Sequence, residues 1–251
     1  MNMAILSAAG AGLLAGAMNA VAGGGSFVTL PALVAAGVPP VLANATSTVA
    51  LFPGSLAAAW TMRAGLRPFE GVGWAAMAAT SVGGGLAGAL LLLITPDVTF
   101  GALLPWLLLF GTLAFTFGRQ AGARLRRVIT LGPAALLAAQ FVLGMYGGYF
   151  GGAVGITMMA VWSLFGTGDL RAMNAARVLL VVAANATAVL CFIIAGRVAW
   201  APALVLGATA ILGSYGGARL ARSADPVTLR RMIIGLCSAM TVAFFARAYL
   251  F

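Results

Sequence analysis

Several stretches of this chain are apolar for about 20 residues or more, the length a helix needs to cross hydrocarbon. The clearest run from Val41 to Met62, Val72 to Ile94 and Gly101 to Phe117. Three more run from Ala172 to Ile194, Val198 to Ala218 and Met232 to Tyr249. Broken stretches precede each set: Met3 to Val21 with Phe27 to Ala36, and Thr130 to Tyr149 with a short piece ending at Phe165. Read coarsely, these make about eight hydrophobic segments. Only 7% of residues are charged against 63% hydrophobic, too little polar matter to coat a soluble core of this size. In lipid every backbone polar group must bond within the protein, which leaves helices or closed barrels. The run lengths predict an all-α polytopic membrane protein.

All fourteen positive charges are arginine, and the acids are Glu70, Asp97, Asp169 and Asp225. A net charge of +10 would suggest nucleic acid in a soluble domain, but the arginines lie mostly in short links between apolar runs. That is the positive-inside pattern of a multi-pass protein, with lipid rather than nucleic acid as its surroundings. The chain has no histidine, so a zinc site or a histidine relay is excluded within it. Cys191 and Cys237 sit in apolar runs and read as packing residues. No nucleotide loop, catalytic triad or pair of buried acids is present, so the chain reads as no enzyme and calls for no cofactor. The first apolar stretch lacks a basic flank, which argues against a cleaved signal peptide.

The two sets of segments echo one another about 130 residues apart, as an old duplication would. Gly23-Gly24 answers Gly151-Gly152, Asn44-Ala45 answers Asn174-Ala175, and Val98-Thr99 answers Val227-Thr228. TLAF at 112–115 answers TVAF at 241–244. The organisation follows: a first transmembrane repeat at 1–118, a basic cytoplasmic linker at 119–129, and a second repeat at 130–251. Charge orients them. With the linker inside, the Arg63/Arg67 loop is also inside and the sparse loop at 95–100 is outside. If residues 130–166 return to the side they left, Arg171 and the arginines at 219–231 fall inside as well. If they cross, four arginines land on the wrong face. The first scheme turns the second half upside down relative to the first, so inverted repeats are favoured over parallel ones. Each would contain a glycine-broken element, re-entrant or crossing, plus three transmembrane helices.

The breaks are where chemistry can sit. Irregular backbone survives at membrane depth only where protein or a wet cavity receives its polar groups. Gly23, Gly24, Gly25 and Ser26 look like a helix break and restart, as do Gly151 and Gly152. A restarting helix offers free N–H groups and a positive dipole end, hence an anion cradle. For Gly16 and Gly88 simple helix packing is the better reading. Asn44, Thr46 and Ser47, with Thr48, cluster beyond Pro39-Pro40, and Asn174 and Arg177 follow Gly168. These asparagines suit either helix capping or substrate coordination. Arg177 lies inside an apolar run, where it either clamps an oxyanion or snorkels to the cytoplasmic interface. Tyr146 and Tyr149 flank the second break and either line a passage or pack there. Trp60, Trp74, Trp106 and Trp200 fall near span ends as interfacial anchors.

The stretch AVAGGGSFVTLPALVAAGVPPVLANATSTVALFPG at 20–54 resembles the first hallmark of the sulfite exporter TauE/SafE family of membrane permeases. GGYFGGAVG at 147–155 and DLRAMNAARV at 169–178 resemble its counterpart, and the likeness covers nearly the whole chain. The resemblance implies a bacterial inner-membrane permease moving sulfite, a sulfonate or another small sulfur-containing or organic anion. Its matching positions are Gly23 to Ser26, Asn44 to Ser47, Gly151-Gly152 and Asn174 to Arg177, and Ala153 departs from the pattern. The expectation is alternating access, either coupled to a proton or ion or facilitated without one. A passive anion channel and a non-transporting scaffold subunit are the alternatives.

Overall fold

The computed structural model describes residues 3–65, 71–125, 132–152, 154–165, 170–223 and 225–249. Arg67, Glu70, Arg126, Arg127 and Asp169 lie outside them. The described residues form ten α-helices and one short 3-10 turn, with no strand. In the first half α1 covers Met3–Ala22, α2 Ser26–Ala35, α3 Pro40–Met62, α4 Trp74–Ile94 and α5 Asp97–Leu125. In the second, α6 covers Pro133–Phe150, α7 Val154–Trp162, α8 Leu170–Ile194, α9 Trp200–Ser223 and α10 Pro226–Tyr249. The coarse count of eight segments becomes ten helices because each short piece after a break is a helix of its own.

Five stretches are long and apolar enough to span a bilayer: Pro40–Met62, Trp74–Ile94, Asp97–Gly118, Ala172–Ile194 and Arg230–Tyr249. Their outward faces carry bulky apolar side chains such as Leu56, Leu90, Phe110, Leu190 and Val242, all exposed. A belt of this kind is ruinous in water and ordinary against lipid. The protein is a multi-pass helical membrane protein. One boundary differs from expectation. Residues 119–125, read from their charge as linker, are the last turns of α5. Apart from Gly122 the segment holds good helix formers, Gln, Arg, Ala and Leu, and it has no proline, so a single glycine does not stop the helix.

Glycine sets how the helices pair. A methyl group at Gly16 of α1 would lie 2.0 Å from the Ala210 carbonyl oxygen of α9, and one at Gly213 would lie 2.0 Å from that of Leu13. The same holds between α4 and α6. A methyl at Gly88 would sit 2.0 Å from the Met145 oxygen, and one at Gly148 2.0 Å from the Gly85 oxygen. Backbone lies on backbone in both pairs, as small residues spaced four apart allow. Gly16 and Gly88 are packing residues, the reading preferred for them from the sequence. Contacts rise in register along each pair (Leu13 with Gly213, Ala17 with Gly217; Gly84 with Phe141, Gly88 with Met145), so partners run parallel.

Helices α5 and α10 run antiparallel. Trp106 Nε1 donates to Tyr249 Oη at 2.9 Å, the hydroxyls of Thr112 and Thr241 meet at 3.2 Å, and Arg230 donates to the Thr116 carbonyl at 2.9 Å. Between these pairs, α3 and α8 pack together in the middle of the bundle. The core there is built on Phe27, Leu30, Phe100, Leu104, Phe150 and Phe192, and a second cluster gathers Leu136, Met158, Trp162 and Leu180. Trp162 is fully buried, and its indole donates to Gln140 Oε1 at 3.0 Å. Trp60, Trp106 and Trp200 are exposed.

Both breaks reverse the chain. Gly23 takes φ +72 and its N–H bonds to the Asn19 carbonyl at 2.9 Å, ending α1. Two residues on, a methyl at Gly25 would lie 2.8 Å from the Ala15 oxygen, so the chain has already folded back along α1. In the second half Gly151 caps α6 in the left-handed conformation, φ 73 and ψ −24. Val154, the first residue of α7, then returns to Gly147, with 3.3 Å between its side chain and a methyl placed there. Glycine is the residue that adopts such dihedrals without a Cβ penalty.

Candidate functional site

The two reversals meet near the crossing of α3 and α8. Thr48 lies eight residues into α3 and Arg177 seven into α8, so each is roughly 10–12 Å along its helix by the 1.5 Å rise. Gly151 sits against α3: a methyl there would be 3.0 Å from Thr48 Oγ1 and 3.9 Å from Ser26 Oγ. The first and second breaks and α3 therefore share one small space. Ser26, Thr29, Thr46, Ser47 and Thr48 are all buried, a polar seam inside an apolar bundle.

Arg177 reaches both broken elements. Its Nη1 is 3.6 Å from where a Cβ on Gly23 would stand, and 3.4 Å from one on Gly155, near the start of α7. Its Cδ and Cγ pass over Gly155 at 3.2 and 3.4 Å. Glycine at both positions leaves room for the guanidinium. The Nε–H is buried with no acceptor. A donor of this strength buried unpaired costs on the order of 1–3 kcal/mol or more, so an acceptor at this point would be held firmly. Guanidinium presents several N–H groups in a plane that matches an oxyanion.

The restart of α2 differs from the expected cradle. Phe27 and Val28 N–H bond to the Gly24 and Gly25 carbonyls at 3.0 Å, and Thr29 N–H bonds to that of Gly25 at 3.2 Å. Those donors are consumed by the tight turn itself. What remains at α2 is the dipole and the Ser26 end, so the main anion-directed donor is the Arg177 side chain.

The other candidates divide. Asn44 Nδ2 donates to the Tyr149 carbonyl at 2.8 Å and ties α3 to the end of α6. Thr46 Oγ1 accepts the Ala199 N–H at 3.0 Å just ahead of α9. Ser47 and Thr29 share a short hydroxyl–hydroxyl bond joining α3 to α2. Gly24 and Gly25 pack against Met18 and the Ala15 carbonyl, and Gly152 against the Phe150 ring. Tyr149 packs edge-on to Phe100 at 5.5 Å, and Tyr146 donates to the Leu107 carbonyl at 3.4 Å. Asn174 turns to Met62 Sδ at 3.7 Å, at the far end of α3. It does not repeat the role of Asn44. Thr29 and Gly155 complete the site. Gly155 belongs to the visible glycine motif, whereas Thr29 lies in FVTLP with no spacing signal of its own. No group of His, Cys, Asp or Glu able to hold a metal occurs among the described residues.

Broken helices that bring polar groups to the centre of an apolar bundle define a class of protein, the membrane transporter. The chain belongs to the sulfite exporter TauE/SafE family, whose model matches residues 8–244. It is 33% identical over 233 residues to the probable membrane transporter protein YfcA of Escherichia coli, covering 91% of this chain and 85% of that one. It is 29% identical over 233 residues to a probable membrane transporter protein of Haemophilus influenzae, covering 92% and 90%. A third relative, the probable membrane transporter protein ORF9 of a Sinorhizobium species, is 29% identical over 239 residues, covering 94% and 90%. No solved structure matches the chain.

Proposed function

We propose that this transporter is a secondary permease of the bacterial inner membrane that moves a small anion of the sulfite, sulfonate or related organic class. The observation that carries this reading is Arg177, whose guanidinium lies beside Gly23 of one break and Gly155 of the other. An oxyanion there would answer the unpaired Nε–H and feel the positive ends of α2 and α7. Movement of one half against the other would then expose the anion to each side in turn.

The two halves, 1–118 and 130–251, act in this proposal as inverted repeats joined by a cytoplasmic link. The packing supports that reading. α1 lies on α9 as α6 lies on α4, each through paired glycines, and α5 meets its counterpart α10 at Thr112 and Thr241. Direction supports it as well. Had α6 and α7 together crossed the bilayer, α10 would run the same way as α5, whereas the two run antiparallel. With both breaks re-entrant, Arg63 and the arginines at 219–231 fall at one end of the bundle, the cytoplasmic one.

The test is flux in proteoliposomes with labelled sulfite, thiosulfate, sulfoacetate and taurine, with and without a proton gradient. The chain should show saturable flux of at least one of them. Arg177→Gln should raise KM about 10- to 150-fold, the worth of one charged hydrogen-bond set. Flux that never saturates and appears as conductance would favour a passive channel. Unchanged flux in Arg177→Gln would remove the clamp.

A further inference from the structure

A second buried polar group near the breaks, Asn44, has the opposite electrostatic character to Arg177. Its side chain is 1% exposed. Because Nδ2 faces the Tyr149 carbonyl at 2.8 Å, the two ends of the carboxamide are assigned by chemistry. Only the N–H end can meet a carbonyl oxygen. Oδ1 is therefore the free end, an acceptor buried without a partner.

The hydroxyls beside it in sequence are already engaged elsewhere. The Thr48 hydroxyl donates to the Asn44 carbonyl at 2.9 Å, and the Ser47 and Thr29 hydroxyls bond to each other. Thr46 lies two residues on, on another face of α3, engaged with the Ala199 N–H. α6 ends at Phe150, so the carbonyls of its last turn, Tyr149 among them, lack helical N–H partners. They carry the negative end of the α6 dipole. Neutral oxygens at a negative dipole end call for a cation.

We infer that Asn44 Oδ1, the Tyr149 carbonyl and the adjoining last-turn carbonyls of α6 bind a monovalent metal cation, with Na+ the expected ion. Divalent ions are normally gripped by carboxylates. Of the carboxylates among the described residues, Asp97 is engaged with the Val41 N–H at the head of α3, and Asp225 is exposed at the head of α10. Neither takes part. Broken-helix carbonyls are suited to such an ion at membrane depth. Asn44 belongs to one half and α6 to the other, so an ion held between them bears on how the halves engage. It would also offset the charge of an anion at Arg177. This coupling role rests on the permease reading, whereas the cation site itself does not.

The experiment uses the full chain in lipid nanodiscs, without any anionic substrate. Binding of radioactive sodium is measured together with the Tm in NaCl and in choline chloride at equal ionic strength. Saturable binding and a higher Tm in NaCl are expected. Asn44→Ala should weaken binding by about tenfold or more. Asn44→Asp keeps an oxygen and adds negative charge, so it should bind at least as tightly as the parent. Arg177→Gln removes a neighbouring positive charge and should bind sodium at least as tightly as the parent. No saturable binding by the parent chain overturns the site, as does parental affinity in Asn44→Ala. If Asn44→Ala does not fold, weaker binding by Asn44→Asp overturns it instead. A chain that binds sodium yet moves no anion would sink only the permease reading. Flux that depends on Arg177 without sodium binding would sink only the cation site.

Discussion

Replacing Gly151 by alanine separates two costs that the structure places at one residue. The backbone there has φ 73, which costs an L-residue about 1–2 kcal/mol. The added methyl would also stand 3.0 Å from Thr48 Oγ1. Comfortable contact begins at about 3.5 Å, so α3 and the break must part by roughly 0.5 Å, and overpacking of this kind adds about 1 kcal/mol or more. Gly37 isolates the first cost, since it has φ +87 and nothing within 4 Å of a methyl. Gly37→Ala should therefore destabilise by the backbone term alone, about 1–2 kcal/mol. Gly151→Ala should destabilise by about 2–4 kcal/mol. In the Gly151→Ala background, Thr48→Ala should cost less than it does in the parent, because it also clears the methyl. Reversible unfolding in mixed micelles, run as a double-mutant cycle, measures all four forms. If Gly151→Ala proves no worse than Gly37→Ala, or the cycle shows no coupling, the close approach of break and α3 is wrong.

Two further outcomes follow from the same geometry. Gly88→Ala puts a methyl 2.0 Å from the Met145 oxygen and 2.7 Å from the Tyr149 nitrogen. It should cost about 1–3 kcal/mol in the same unfolding assay, while Gly10→Ala, with nothing within 4 Å, should cost nothing; equal stability of the two would contradict the backbone contact. At the head of α10, the Thr228 N–H at 2.9 Å and hydroxyl at 2.8 Å hold the Asp225 carboxyl below the usual carboxylate range. Its stabilising effect is then present above the unfolded-state pKa and lost as pH falls through the lower folded one. Asp225→Ala should lower Tm near neutrality, and the gap to the parent should close on acidification. A gap independent of pH would refute the cap.

The helices were legible in the sequence because hydrocarbon imposes a length and glycine clusters interrupt it. Pro40 and Pro133 at helix starts and Gly23 and Gly151 at helix ends are local signals with local causes. The end of α5 was not legible, since charge marks a side of the membrane and says nothing about where a helix stops. Asn44 and Asn174 show the deeper limit. Both are followed by alanine at matched places, yet one meets the end of α6 and the other Met62. That difference is set by neighbours distant in sequence. Arg177 was conspicuous as a charge in an apolar run, but its reach to Gly23 and Gly155 depends on both reversals, which spacing alone left open.

On the inverted-repeat reading, what is matched between the halves and what is not divide by role. Glycines spaced four apart recur at Gly12/Gly16 and Gly144/Gly148, and again at Gly84/Gly88 and Gly213/Gly217. These hold the scaffold together. Alternating access needs two arrangements that are both populated, and a bias of only about 1.4 kcal/mol already makes one tenfold rarer. If the two arrangements exchange the conformations of the halves, matched scaffolds keep them close in energy. The polar centre has no such requirement. Arg177 stands where the first half has Ser47, and Ser47 is bonded to Thr29 while the Arg177 Nε–H is unpaired. The proposed anion clamp is thus a place where the residues of the copies differ, and the proposed cation oxygens at Asn44 one where like residues meet unlike neighbours. A scaffold kept alike and a centre made unlike allow one charged site to be presented to either side at little conformational cost.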